Sequence, residues 1–205
     1  MNGTLFIFVK APVAGNVKTR LAKDIGPARA AALFRLLTMQ TIAEARKGGW
    51  RTVVAIDPPT ALGRFSNCWP PPLPRWVQPK GDLGKRMSAA FRAAPKGPII
   101  IIGADAPAVR VRHIRAAFNA LRGHDAVFGP ATDGGYWLIG LARRRGVPDL
   151  FAEVRWSTPF ALADTLSSLP KSFSVATVET LRDLDDGRDM KACGSRALLR
   201  SIARV

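Results

Sequence analysis

"PIIIIGADAP", residues 98–107, sets four isoleucines in a row and then, three residues after the last of them, a carboxylate. Four consecutive β-branched apolar residues cannot alternate between a wet and a dry face. They suit a strand covered on both sides, as a central strand of a mostly parallel sheet is. Asp105 at the carboxyl end of that run, followed by Pro107, has no evident structural task. An isolated carboxylate beside a core is costly unless it is paired or bound to a metal. The segment therefore points to an α/β fold with a divalent cation at the sheet edge; a helix cap or a salt bridge to one of the many arginines is the alternative.

Working outward, "TLFIFV" (4–9), "RTVVAID" (51–57) and "DAVFGP" (125–130) are also short apolar runs that end in turn residues. Helical stretches separate them. "GPARAAALFRLLTMQTIAEARKGG" carries Pro27 in its first turn and stops at Gly48 and Gly49; Asp82 is placed to cap "LGKRMSAAFRAA"; and a third helix is expected over 110–123. This alternation predicts a doubly wound α/β sheet. Beyond residue 130 the expected order is a strand over 134–141, a helix over 157–169 with Pro159 in its first turn, a strand over 173–179 and a closing helix over roughly 186–204. The proline-rich stretch 58–74 reads as a surface loop. His113 and His124 form no metal spacing and are expected at the surface, while Trp137 is expected in the core.

A chain of 205 residues suits one α/β domain with a sizeable core, 1–205. Its composition excludes disordered and fibrous classes. There is no 18-residue apolar window and no signal-peptide pattern, so a cytoplasmic protein without a membrane span is expected, with Cys68 and Cys193 as reduced thiols. The net charge of +16 suits an anionic partner. Apart from "ARRRG" (142–146) the cations are dispersed and are not interleaved with aromatics, so nucleic acid is not the expected partner.

In open α/β sheets ligands bind beyond the carboxyl ends of the strands. That edge gathers Lys10 through Arg20, Asp57, Asp105 and Asp133. In the loop after the first strand, Gly15 allows close backbone approach while Lys18 and Arg20 offer a point charge and a fork suited to phosphate; an ordinary cationic turn is the alternative. Neither the P-loop nor the GxGxxG order is present, nor any nucleophile motif. The cluster at 182–189 supplies Asp183, Asp185, Asp186 and Asp189, of which one suits a second metal ligand and others a helix cap. Gly134 and Gly135 with Asp133 suit a sugar or base, or a tight turn; Trp156, Ser157 and Thr158 suit an acceptor site.

"FVKAPVAGNVKTRLA", "QPKGDLGKRM" (78–87), "GADAP" (103–107), "GPATDGGYWLIGL" (129–141), "WSTP" (156–159) and "LRDLDDGRDM" (181–190) together resemble the bacterial radical-SAM/selenodomain-associated transferases, commonly labelled glycosyltransferases. More distantly the chain is similar to the nucleotide-diphospho-sugar transferase (GT-A) superfamily, which includes guanylyltransferases of molybdenum cofactor and deazaflavin cofactor biosynthesis. The resemblance implies a Rossmann-like three-layer α/β/α sandwich with one antiparallel strand, its residues 1–130 forming a nucleotide-binding half and 131–205 an acceptor-side half. It further implies a nucleotide site at Lys10, Ala11, Pro12, Gly15, Lys18 and Arg20, with Asp57 and Asp82 contributing, and Mg²⁺ (or Mn²⁺) on Asp105 and Asp185, with Asp183 in reserve. The acceptor would meet Asp133, Gly134, Gly135, Trp156, Ser157 and Thr158. The chain departs from the family pattern in reading "DDGRD" at 185–189, and "ADAP" supplies one carboxylate where a DxD supplies two.

The expected activity is a magnesium-dependent transfer from a nucleotide-linked donor, with an NDP-sugar first, Lys18, Arg20 and Asp105 as catalytic groups and a small-molecule acceptor. Nucleotidyl transfer from an NTP to a phosphorylated acceptor is the rival, and a basic nucleotide- or nucleic-acid-binding protein without turnover is the non-enzymatic alternative.

Overall fold

A computed structural model describes residues 3–65, 68–69 and 72–193. Among the described residues seven strands form one sheet in the order β3-β2-β1-β4-β6-β5-β7. They are β1 (Thr4–Lys10), β2 (Arg51–Asp57), β3 (Arg75–Val77), β4 (Ile99–Ile102), β5 (Ala126–Pro130), β6 (Tyr136–Leu141) and β7 (Val175–Thr177). The isoleucine run is the hinge of the arrangement. β4 pairs in parallel with β1 on one side, Ile100 opposite Leu5, and antiparallel with β6 on the other, Ile100 opposite Gly140. β6 also runs antiparallel to β5, and every other pairing is parallel.

Successive side chains of a strand point to opposite faces, and both faces of β4 are dry. Ile100 and Ile102 join a core cluster with Ile42 of α2 (Pro27–Ala45) and Ile114 and Phe118 of α5 (Val111–Ala120). Ile99 and Ile101 join another with Met87 and Phe91 of α4 (Leu83–Ala93) and Ala161 of α6 (Ala161–Ser167). Burying each such side chain contributes roughly 1.5–3 kcal/mol, so the three-layer sandwich follows from the continuous apolar strand. A smaller cluster packs Leu21 of α1 (Thr19–Ile25) on Leu33 and Leu37 of α2 and on Leu184.

Several expectations need correction. The end of the cationic loop is helical: α1 places Arg20 on a helix. The helix expected from Ser157 begins at Ala161, because Ser157 has a left-handed backbone (φ 61) and the Thr158 hydroxyl bonds Phe160 N to make a turn instead. The strand expected from 134 begins at Tyr136, after a turn. The proline-rich stretch holds a short helix, α3 (Ala61–Arg64), and the buried Trp69, and β3 follows directly as an unforeseen edge strand. His113 is buried on α5, against the ring edge of Trp137. Trp137 is in the core as expected. Of the closing helix, α7 (Gly187–Ala192) is seen, and residues from 194 lie outside those described. No helix among the described residues is long and apolar enough to cross a membrane.

The "ARRRG" run is structural. Arg143 donates to the carbonyls of Phe91, Ala94, Pro95 and Gly97, and Arg144 to those of Leu121, Arg122 and His124. The last carbonyls of a helix have no partner within it. Two guanidinium groups thus finish α4 and α5.

Candidate functional site

The carboxyl ends of β1, β2, β4 and β5 share one edge of the sheet, and the loop after β1 crosses it. Gly15 in that loop has φ 84 and open space around its Cα, and Lys18 adopts the left-handed region as well (φ 48, ψ 46). For a lysine that conformation is uncommon and costs on the order of 1 kcal/mol, so something must hold it. The side chain, 7% exposed, donates to Asp105 Oδ2 at 3.1 Å and to Asp185 Oδ1 at 2.6 Å. Arg20 is exposed, with Nη1 4.0 Å from Asp185 Oδ2. The backbone N–H of Leu184 donates to the carbonyl of Asp105 at 3.0 Å, which locks the 183–185 segment against the end of β4.

Charge in this cluster is unevenly distributed. Burial works against the Lys18 ammonium, but Asp105 and Asp185 outweigh it and hold its pKa above the ordinary lysine value. Burial likewise pushes Asp105 up, and the Lys18 charge and hydrogen bond overcome it, leaving that carboxyl below its usual value. Asp183 goes the other way: burial first, then the charge of Asp105, with Asp133 and Asp185 adding to it, raises its pKa to about 8. Its Oδ1 is buried without a hydrogen-bond partner among the described residues. Among the described residues no three or more His, Cys, Asp or Glu side chains form a preformed cage. The donor set still fits a magnesium-like ion, which takes one or two carboxylates and leaves its other positions to water and substrate oxygens.

Beside this cluster a cleft of about 470 Å³ opens over the ends of β1 and β2. Lys10, Ala11 and Asp57, all nominated from sequence, line it, as does Asn16 of the Lys10–Arg20 stretch; Thr60 and Phe65 line it too and were not foreseen. The Asp57 carboxylate accepts from Arg86 Nη1 at 2.7 Å, and the Asp57 carbonyl accepts from Ala11 N at 2.8 Å. Gln78, buried, donates to the carbonyls of Val9 and Ala55 and so ties β1 to β2 just below the cleft. Arg86 and Gln78 both fall in "QPKGDLGKRM", and that motif was their one signal. Asp82 of the same motif caps α4, accepting from Lys85 N at 2.8 Å. Pro12 is half-buried in the β1 loop.

The β5–β6 turn approaches the cluster from the other side. Thr132 N donates to the carbonyl of Leu181, and the Asp133 carboxylate folds back to accept from Gly135 N at 2.9 Å. A Cβ on Gly134 (φ 88) would lie 2.2 Å from the carbonyl oxygen of Pro159, so the room that this glycine leaves is filled by the segment leading to α6. That segment carries Trp156, packed on Phe151 and close over Gly84, and Thr158, whose hydroxyl donates to the carbonyl of Arg155. Lys18, Arg20, Asp105, Asp183, Asp185 and Asp133 therefore converge. Trp156, Ser157 and Thr158 form a separate wall beside the turn, and Asp82 serves the head of α4.

The family model for uncharacterized proteins conserved in bacteria (DUF2064) matches residues 38–158. The chain belongs to the DUF2064 family. Asp105 lies inside the matched region of this DUF2064 protein, whereas Lys18 and Asp185 close the cluster from outside it. A crystal structure of a protein from Desulfovibrio desulfuricans G20, assigned as a nucleotide-diphospho-sugar transferase, is 26% identical and superposes with a TM-score of 0.90 over 100% of this chain and 95% of that one. Rv0371C from Mycobacterium tuberculosis H37Rv, solved in complex with manganese, shares the fold at 14% identity and a TM-score of 0.57, covering 94% of this chain and 97% of that one. Among curated proteins, the 3-phospho-D-glycerate guanylyltransferase of Phenylobacterium zucineum (strain HLK1) is 33% identical over 143 residues, a match that spans 64% of this DUF2064 chain and 62% of the relative's length. The nucleotide-diphospho-sugar transferase fold expected from the motifs is thus the fold of the chain.

Proposed function

We propose that this DUF2064 protein is a nucleotide-utilising transferase that moves a nucleotidyl group from an NTP to a phosphorylated small-molecule acceptor, within a single domain spanning 1–205. The observation that carries the reading is the buried Lys18 ammonium between Asp105 and Asp185, next to a cleft large enough for a nucleoside. The guanylyltransferase relative puts nucleotidyl transfer ahead of the sugar transfer that the motifs favoured. The family's kinship with radical-SAM/selenodomain-associated transferases belongs to the same proposal.

In this scheme the cleft lined by Lys10, Asp57 and Phe65 takes the nucleoside, and the phosphates run along the Gly15 loop towards Lys18 and Arg20. A divalent metal, magnesium or manganese, would be held by Asp105 and Asp185 and would neutralise charge on the phosphates; the manganese-bound Rv0371C structure supports that class of ion. An oxygen of the acceptor phosphate forms the new bond to the α-phosphorus, the bond from that phosphorus to the bridging oxygen breaks, and pyrophosphate leaves. Lys18 and Arg20 stabilise the charge that grows on the leaving group, as fixed cations in a partly desolvated site do most effectively. The turn at Asp133–Gly135 and the Trp156–Thr158 wall position the acceptor.

Incubation with each NTP, Mg²⁺ and 3-phospho-D-glycerate or another phosphorylated acceptor is expected to release pyrophosphate and yield a nucleotidylated product. Asp105→Asn should lower that release about 100-fold or more while the far-UV spectrum is retained. Release of free NDP from an NDP-sugar, without pyrophosphate formation from any NTP, would instead establish sugar transfer, which the Desulfovibrio structure favours as the second reading.

A further inference from the structure

Lys18 is assigned above to phosphate, yet its ammonium is spent on the two carboxylates assigned to metal. The geometry leaves little room for both. One oxygen of each carboxylate faces the shared point, and both of these oxygens, Asp105 Oδ2 and Asp185 Oδ1, are bonded to Lys18 Nζ. The remaining oxygens are turned aside. Asp105 Oδ1 leans over Gly103, where a Cβ would stand 2.7 Å from it, and Asp185 Oδ2 faces Arg20. A magnesium-like ion needs carboxylate oxygens at about 2.1 Å, so it would claim the atoms that the ammonium now holds.

We propose that Lys18 is the resident counter-ion of the Asp105–Asp185 pair and competes with divalent metal for it, so that metal is admitted efficiently only together with a polyphosphate that takes over the displaced ammonium. The proposal rests on the nucleotide-site reading above. Nearly buried and flanked by two carboxylates, the ammonium cannot leave for an apolar wall; it needs another anion within reach of its flexible four-carbon stem. A nucleotide phosphate entering along the Gly15 loop supplies that anion. The uncommon φ of Lys18, at the N-cap of α1, places its side chain at this exchange point, from which rotation of its four-carbon stem can redirect the ammonium to an incoming phosphate. Ammonium and metal thus alternate on the same oxygens, and the free-metal form is disfavoured by the protein's own cation.

The test uses Mn²⁺ alone, followed by the electron paramagnetic resonance signal of the free ion, with the wild type, Lys18→Met and Lys18→Gln. The glutamine variant keeps hydrogen-bond donors for both carboxylates while removing the charge. Both variants are expected to bind Mn²⁺ without nucleotide at least tenfold more tightly than the wild type, and Mn²⁺ should raise their melting temperatures more than it raises that of the wild type. Should the variants unfold without metal, recovery of the fold in millimolar Mn²⁺ is the supporting result. Mn²⁺ affinities equal to or weaker than the wild type's, or variants that no Mn²⁺ restores, overturn the proposal. Failure of the underlying nucleotide reading looks different: the wild type would then bind neither Mn²⁺–pyrophosphate nor any Mn²⁺–nucleotide, whatever Mn²⁺ alone does in the variants.

Discussion

His113 Nδ1 accepts the hydrogen bond from Arg110 N at 3.0 Å that closes the first turn of α5, so that nitrogen carries no proton. Burial, followed by the neighbouring Arg112 charge, lowers the imidazole pKa below its usual 6.5, against the opposing pull of Glu179. A histidine depressed in the fold is charged more readily in the unfolded chain. Its neutral form therefore contributes stability that is complete above about pH 6.5 and is lost as the pH falls below that value, towards its folded pKa. The melting temperature of the wild type should accordingly drop between pH 6.5 and 5. His113→Gln keeps a residue able to reach back to the helix start, and it should flatten that slope. Equal slopes in the two proteins would show that another group is responsible. At this scale the sequence was informative about identities and poor about partners. Asp105 and Lys18 stand out as residue types after strand-like runs, but they are 87 positions apart, and Lys18 is 167 positions from Asp185. No local pattern tells a lysine that will meet a phosphate from one already bonded to carboxylates. The helical spacing of His113 likewise gave no sign that Trp137 and Glu179 would close over it.

Elements rich in β-branched residues or bounded by clear caps were legible. β1, β2, β4 and β5 follow from their apolar runs, and α4 begins where Asp82 caps it. Those that escaped notice depend on contacts from afar. β3 has only three residues, and its strand character comes from pairing with β2; the start of α6 is set by the backbone of Ser157 and by Pro159 packing on Gly134. The arginine run belongs with these. As sequence, "ARRRG" reads as surface charge. In the fold, Arg143 and Arg144 serve the carbonyls that end α4 and α5, and Arg145 reaches the carbonyl of Ser172 ahead of β7. Arg143→Gly tolerates the left-handed backbone at that position (φ 57) and removes the whole side chain, its guanidinium included. Unfolding in urea should show a loss of about 1.5–3 kcal/mol, with the proposed nucleotide binding unchanged, since the staple and the cation cluster lie at opposite ends of the strands. A loss within error would mean that water replaces the guanidinium without cost.

For the molecule as a whole, fold class was readable because strand and helix alternate, and the carboxyl-edge rule then brought Lys18, Asp105 and Asp133 to one place before any coordinates. Strand order was not readable from pattern, and it bears on how the two halves relate. β6, residues 136–141, lies between β4 and β5, so a cut at residue 130 leaves the adjoining edges of β4 and β5 uncovered and takes Asp185 away from Lys18. Uncovered central edges invite association with other chains. A fragment ending at 130 should therefore be insoluble or unfolded by circular dichroism when made alone. The same interleaving makes the two pieces mutually templating. Co-expressed, 1–130 offers a slot between β4 and β5 and a free outer edge of β5, and 131–205 brings β6 to fill the one and β7 to cover the other; their reassembly would restore the cation cluster in the same event, turning this sheet into a split reporter whose signal is the proposed nucleotide binding.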